Sequence, residues 1–185
     1  MKTLILNGSP RKNGDTATIL NKLKANLKGE IIEYSAYYDK ISPCTDCRYC
    51  WTNPGCSIDD DMLDIYDITD GADNIVLASP LYFAELTGSL LGLVSRYQTY
   101  YARDFIRCEQ IKHRKRNGVL ILTGGGSGGE NHAEKTAKMI FKTINAEYVG
   151  KILSLNTDTL PSIKDEAAMK STVEIAEMLN RLYTE

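Results

Sequence analysis

Residues 1–20 read MKTLILNGSPRKNGDTATIL, and the order of residue types within them decides the fold. Thr3–Leu6 is a short apolar run of strand type. It breaks at the polar, glycine-bearing stretch Gly8–Thr16, and a helical pattern follows from about Asp15 to Leu27. A strand that turns over a glycine loop into a helix is the first half of a βαβ unit. Working outward, the same beat recurs. Glu30–Tyr34 reads as a second strand, and Asp59–Ala72 as a helix with Met62, Ile65 and Ile68 near helical spacing. Asn74–Ala78 (NIVLA) and Gly118–Leu122 (GVLIL) are strands of the fully buried type, separated by a long helical stretch over Leu86–Phe105. A helix near Glu130–Asn145, a strand at Tyr148–Leu153 and a helix over Asp165–Leu182 complete the pattern. Strands alternating with helices in this way predict a parallel sheet covered on both faces through right-handed crossovers, a doubly wound three-layer α/β fold.

With 185 residues, 43% hydrophobic and 25% charged, the chain suits a single domain, residues 1–185, with a proper core. The segment that breaks the rhythm is a cysteine-rich insertion near residues 36–58, which carries four of the five cysteines. Lys and Arg number 22 against 24 Asp and Glu, so no broad attraction to nucleic acid or an anionic membrane is expected. The apolar runs fall far short of the ~20 residues of a membrane-spanning helix. The apolar start of the chain is too short for a signal peptide. A cytoplasmic, reducing setting is therefore expected, in which the cysteines do not form a disulfide framework.

In an open parallel sheet, ligands gather beyond the carboxyl ends of the strands, where strand order reverses. With order 2-1-3-4-5, the loops after strands one, three and four line one cleft. The first, Gly8–Thr16, has the chemistry of a phosphate cradle. Ser9, Asn13 and Thr16 offer side-chain donors, Gly8 and Gly14 let backbone N–H groups approach, Arg11 is a cation, and a helix N-terminus follows. Asp15 follows Gly14 where a triphosphate-binding loop requires Lys, so a monophosphate fits better. An ordinary strand-to-helix turn capped near Asp15 or Thr16 is the plainer alternative. The second loop sets Pro80, Leu81, Tyr82 and Phe83 at a strand end, where aromatics suit a flat ring, or else simply fill the core. The third runs Thr123–Gly129 (TGGGSGG) and admits close approach of backbone to a ligand. Gly124, Gly126 and Gly129 match G-x-G-x-x-G formally, but they follow the fourth strand and no acidic residue ends a strand about 20 residues on, so a dinucleotide fingerprint is discounted.

Together GSPRKNGDT at Gly8–Thr16, SPLYF at Ser79–Phe83 and TGGGSGG at Thr123–Gly129 resemble the NADPH-dependent FMN reductase group of the flavodoxin-like superfamily, its iron–sulfur flavoproteins included. The resemblance spans nearly the whole chain. It implies a flavodoxin-like three-layer sandwich whose five-stranded parallel sheet has the order 2-1-3-4-5. It further implies Ser9, Arg11, Asn13, Asp15 and Thr16 at an FMN phosphate, Pro80, Leu81, Tyr82 and Phe83 at the flavin ring, and Gly124, Gly125 and Gly126 at the ring's other edge. Two positions depart from the group's pattern. Asp15 stands where Asn or Ser is frequent, acceptable beside a phosphate if its carboxylate faces away, and Ser95 precedes Arg96 where many members have Asp.

Cys44, Cys47, Cys50 and Cys56 form C-x2-C-x2-C-x5-C, with Pro54-Gly55 before the last. Thiolates in such a run suit an iron–sulfur cluster, and the arrangement resembles the compact cluster motif of the iron–sulfur flavoproteins, down to Asp59-Asp60-Asp61-Met62 behind it. Zinc, unmetallated thiols and a regulatory disulfide stay open as alternatives. Cys108 and Arg114 have phosphatase-loop spacing, C-x5-R, but the loop has no glycine and Glu109 would oppose an anion, so the match reads as coincidence. His132 lies beside the third loop as a proton-donor candidate or a surface residue. The basic run Lys112–Arg116 suits an acidic partner or the 2′-phosphate of NADPH, or is a solvated loop. Tyr97, Tyr100, Tyr101 and Phe105, with Leu90–Val94, are more apolar than one buried face requires and point to a homodimer.

The expectation is an FMN-dependent oxidoreductase and electron-transfer flavoprotein that takes electrons from NAD(P)H and passes them to a quinone, another small acceptor or a 4Fe-4S centre. The hard chemistry is the cofactor's, so no acid, base or nucleophile is required. An FMN electron-transfer module without NAD(P)H turnover, serving a redox-protein partner, and a flavin-free phosphate-binding regulatory domain are the competing classes.

Overall fold

The computed structural model describes residues 1–109 and 114–183. Five strands, β1 (Lys2–Asn7), β2 (Glu30–Ser35), β3 (Asn74–Pro80), β4 (Arg116–Thr123) and β5 (Ala146–Ser154), form one sheet in the order β2-β1-β3-β4-β5. Every pairing is parallel. This is the architecture expected of a flavodoxin-like chain. The principal helices are α1 (Asp15–Asn26), α3 (Met62–Gly71), α4 (Gly88–Ser95), α6 (Glu130–Thr143) and α7 (Glu166–Leu182), with two four-residue helices, α2 (Tyr49–Thr52) and α5 (Gln98–Tyr101).

The alternation of side chains along the central strands builds two cores. Leu4, Leu6, Ile75, Leu77, Leu120 and Leu122 face α3, α4 and α6, where Met62, Leu90, Leu93 and Phe141 cover them. Ile5, Val76, Ala78, Val119 and Ile121 face α1 and α7 on the opposite side, against Ile19, Leu20, Leu23 and Leu179. Burial on both faces explains why β3 and β4 read as continuous apolar runs rather than alternating ones.

The long helix expected over Leu86–Phe105 is broken. α4 ends at Ser95, α5 occupies Gln98–Tyr101, and a π turn follows over Ala102–Ile106. Arg96 and Tyr97 bond back three residues, to Leu93 and Val94, instead of four. The cause is tertiary. Both side chains are buried and held from outside the helix, Arg96 by the cysteine segment and Tyr97 by the Thr69 hydroxyl at 2.7 Å. The helix expected from Asp59 begins only at Met62, because Asp60 is bonded to Ser42 and Arg96.

The basic stretch before β4 is not simply solvated. Arg114 pairs with Asp73, and Arg116 is buried as the first residue of β4 with its guanidinium on the Ile144 carbonyl. Lys112 and His113 lie outside the described residues. Among the described residues no helix is long and apolar enough to cross a membrane.

Candidate functional site

β1 ends at Asn7, and the chain turns immediately: the Gly8 N–H donates to the Ala78 carbonyl and the Ser9 N–H to Asn7 Oδ1. The Ser9 hydroxyl in turn accepts from the Arg11 N–H at 3.2 Å, which fixes the curve of the loop. α1 then begins with Gly14 at its N-cap and no side-chain cap, whereas α4 and α7 are capped by Thr87 and Asp165. The first N–H groups of α1 therefore lack the partner that a capping side chain supplies, and the positive end of the helix faces the cleft.

That cleft gathers all three strand-end loops. Ser9, Arg11, Asp15 and Thr16 from the first, Pro80, Leu81 and Tyr82 from the second, and Gly124 and Gly125 from the third share one cavity of about 90 Å³. Sites for whole small ligands run to about 300–1,000 Å³, so this is the closed end of an open cleft, sized for a small polar group. Thr16 is buried, and its hydroxyl meets that of Thr123 at 2.8 Å, which joins α1 to the end of β4. Asp15 turns its carboxylate away to accept from the Ser162 N–H at 2.8 Å. Arg11 is the cation of the cavity, and the hydroxyls that border it are engaged within the protein, Ser9 donating to the Arg11 carbonyl at 3.3 Å and Thr16 paired with Thr123.

Three expected positions do not line this cavity. Asn13 and Gly126 are exposed, and Phe83 is wholly exposed at the tip of a turn. In that turn Tyr82 and Glu85 exchange both backbone hydrogen bonds while Phe83 and Ala84 sit at φ 53 and φ 63. Two successive left-handed residues make a type I′ hairpin turn, a conformation strained for residues other than Gly, Asn or Asp. Glu85 accepts from Thr136 at 2.7 Å and lies 3.4 Å from His132 Nε2. Also lining it are Thr123, quoted with the third loop but not expected to bind, and Thr157 and Asp158, which sequence reasoning missed. The signal for the last two was present, because β5 neighbours β4 and its following loop, Asn156–Asp158, must border the same cleft. The Thr157 N–H donates to the Gly124 carbonyl at 2.9 Å.

α4 packs against the first loop. A Cβ on Gly8 would lie 2.7 Å from Leu90 Cβ, so only glycine lets the first loop approach this helix. The capping residue Thr87 is fully buried, and its hydroxyl donates to the Gly8 carbonyl at 2.8 Å while its N–H donates to the Ser79 hydroxyl at 3.0 Å. At its other end α4 meets the cysteine segment, where the Ser95 hydroxyl accepts from the Cys44 N–H at 3.0 Å.

Cys44, Cys47, Cys50 and Cys56 line a second cavity of about 350 Å³, with Arg96, Gln98 and Thr99 as its floor and Trp51 at its rim. All four thiols are free. Hydrogen bonding to Ser57 and to the Tyr49 backbone holds the Cys47 thiol below its ordinary pKa, and burial pushes Cys50 up. Among the described residues no three potential ligands are drawn together to the spacing of a single metal ion. Zinc needs four thiolate sulfurs about 2.3 Å from one centre. Four free thiols that line one cavity are the donor set that an iron–sulfur centre takes.

A 26% identical iron-sulfur flavoprotein of Archaeoglobus fulgidus aligns over 96% of this chain and 96% of its own length. A 33% identical iron-sulfur flavoprotein of Methanocaldococcus jannaschii aligns over 76% of this chain and 71% of its own. The structure of an FMN-dependent NADH-azoreductase from Bacillus anthracis, in complex with FMN, superposes with a TM-score of 0.65 at 15% identity, covering 97% of this chain and all of that one, and so shares the fold. The model of the NADPH-dependent FMN reductase family matches residues 1–159, and with the uncapped α1 cradle and the parallel 2-1-3-4-5 sheet this makes the chain a flavoenzyme of the oxidoreductase class that belongs to the NADPH-dependent FMN reductase family.

Proposed function

We propose that residues 1–185 form one FMN-binding domain that takes electrons from NAD(P)H and passes them to a quinone or other small acceptor, or to a 4Fe-4S centre held by Cys44, Cys47, Cys50 and Cys56. FMN, when bound, supplies the two-electron to one-electron redox chemistry. The chain's own residues bind and orient. Ser9, Arg11, Thr16 and the open N–H groups of α1 hold a phosphate, with Asp15 turned aside as a brace. Pro80, Leu81 and Tyr82 on one side and Gly124 and Gly125 on the other bound the space for a flat ring, with Asn13, Phe83 and Gly126 at its solvent edge.

One observation carries this reading. The two cavities lie at opposite ends of the same helix, with Thr87 tying the N-terminus of α4 to the phosphate loop and Ser95 and Arg96 tying its C-terminus to the cysteines. Eight residues of helix span about 12 Å, so one short rigid element is bonded to both regions. The test is anaerobic purification followed by an optical spectrum and iron and sulfide analysis. Bound-flavin bands together with stoichiometric iron and sulfide are expected. If neither the isolated nor the FMN-reconstituted protein shows flavin bands, the reading is wrong.

The exposure of Cys44 and Cys47 favours a second reading, an electron-transfer module that serves a redox protein without NAD(P)H turnover. Rapid NADPH oxidation with a quinone acceptor excludes it. Tyr97, Tyr100, Leu90 and Leu93 of the expected interface are buried in the core, so we further infer that a homodimer forms through the neighbouring groove lined by Leu91, Val94, Tyr101, Met139 and Ile140, with Met139 and nearby Phe105 exposed. Exposed apolar patches of this kind mark association surfaces. Light scattering that gives a monomer mass at micromolar concentration would refute it.

A further inference from the structure

The side chain of Arg96 is buried completely, at the C-terminal end of α4 and beside Tyr66 of α3. Its guanidinium reaches into the ends of the cysteine segment. Nη1 donates to the Ser42 carbonyl at 2.9 Å and to Asp60 Oδ2 at 2.8 Å, and Nη2 donates to the Ile58 carbonyl at 3.2 Å. Ser42 precedes the first cysteine of the motif by two residues and Ile58 follows the last by two, so one side chain clasps both ends of the insertion. The Nε–H is different. Nε is buried and has no hydrogen-bond partner among the described residues, while Arg96 itself lines the cavity that the four cysteines share.

A clasp alone does not account for that arrangement. A buried donor left unpaired is costly, and a buried guanidinium needs compensation. Asp60 balances one positive charge, but it lies behind the clasp and receives the Ser42 and Met62 N–H groups as well. A cubane held by four thiolates is an anion in both redox states and gains one further negative charge when it accepts an electron. Hydrogen bonds and charge near the sulfurs are what set its potential.

We propose that Arg96 is a positioning residue that tunes this centre: it fixes both ends of the cysteine segment and presents its unpaired Nε–H and its positive charge to an anionic iron–sulfur cluster, favouring the reduced state. The proposal rests on the reading that the four cysteines hold such a cluster. Asp60 opposes it by withdrawing part of that charge, so the two residues shift the cluster in opposite directions.

The experiment compares wild type, Arg96→Lys, Arg96→Gln and Asp60→Asn after anaerobic reconstitution with iron and sulfide. It measures iron and sulfide content, apo-protein unfolding in urea, and the cluster's midpoint potential by dye-mediated optical titration. Arg96→Gln is expected to shift the one-electron reduction equilibrium at least tenfold toward the oxidised form, 59 mV to lower potential. Arg96→Lys keeps the charge and recovers most of the shift, and Asp60→Asn moves it the other way. A cluster in Arg96→Gln with the wild-type potential overturns the proposal. So does a shift of the same sign in Arg96→Gln and Asp60→Asn, which would mark a common structural disturbance. If Arg96→Gln does not fold, the sign of the Asp60→Asn shift decides. Failure of the wild-type protein to take up iron and sulfide instead overturns the underlying reading of the cysteines, and is recognised before any variant is compared.

Discussion

Thr87 is the joint between the phosphate loop and α4, and replacing it by Val, which matches its shape but removes the hydroxyl, measures what the joint contributes. The hydroxyl does two things. It accepts from the Leu90 N–H as the N-cap of α4, and it donates to the buried Gly8 carbonyl at 2.8 Å. Loss of an N-cap costs about 1 kcal/mol. A buried acceptor deprived of its donor costs about 1–3 kcal/mol more. Thr87→Val should therefore destabilise the apo-protein by about 2–4 kcal/mol, a large part of the 5–15 kcal/mol typical of a domain. Thr87→Ser keeps both bonds and removes one methyl group, at about 1 kcal/mol. Urea unfolding followed by circular dichroism, at equal m-values, gives both numbers. Because the Gly8 carbonyl positions the phosphate loop, Thr87→Val should also weaken FMN in a fluorescence-quenching titration while Thr87→Ser does not. If Val is no worse than Ser in unfolding, the hydroxyl does not join loop to helix, and the account of the rigid link between the two cavities falls with it.

Arg11→Gln should weaken FMN binding about 10- to 100-fold, the value of a charge-assisted hydrogen bond of about 1.5–3 kcal/mol. Riboflavin, which lacks the phosphate, should bind wild type and variant alike, and an equal loss for both ligands would place Arg11 away from the phosphate. Glu134 provides a pH signature remote from the site: hydrogen bonds from Lys138 and Lys151, with a further one from Tyr148 acting against burial, lower its carboxyl from 4.5 to about 2. A folded-state value below the unfolded one means that the stabilisation is fully present above pH 4.5 and is lost as pH falls toward 2. The full shift corresponds to about 3 kcal/mol, and solvent around the partly exposed lysines reduces it to about 1–2 kcal/mol. Glu134→Gln should show that deficit in urea unfolding at pH 7 and converge on wild type at the acid end, and a deficit constant with pH would exclude the ion pairs as its source.

The sheet was legible because its determinants are local. Apolar runs alternating with helical patterns are enough to number the strands and make the sheet parallel, and the resemblance to the flavodoxin-like group supplies their order. The cleft was legible for a related reason, since strand order alone assigns Gly8–Thr16, Ser79–Phe83 and Thr123–Gly129 to one edge. What sequence could not convey is side-chain direction. Asp15 sits in the cradle by position but faces Ser162, 147 residues away along the chain. Phe83 sits beside the ring space by position but is carried outward by two left-handed residues that no propensity would have suggested.

The break in the helix after Ser95 has the same origin and a larger consequence. Periodicity over Leu86–Phe105 is good, so a helix read from pattern alone runs through. It stops because Arg96 and Tyr97 satisfy partners elsewhere, at Asp60 and at Thr69. Local preference is a weak prior beside a buried ion pair of 2.8 Å whose rupture would leave an unpaired charge in the core. The interruption places Gln98 and Thr99 on the floor of the cysteine cavity, and Thr99 donates to the Gly55 carbonyl at 3.0 Å. Although its residues are largely exposed, the insertion is thus bound to core helices through Cys44, Gly55 and both of its ends. A segment fixed at that many points costs little to order when a ligand binds to it.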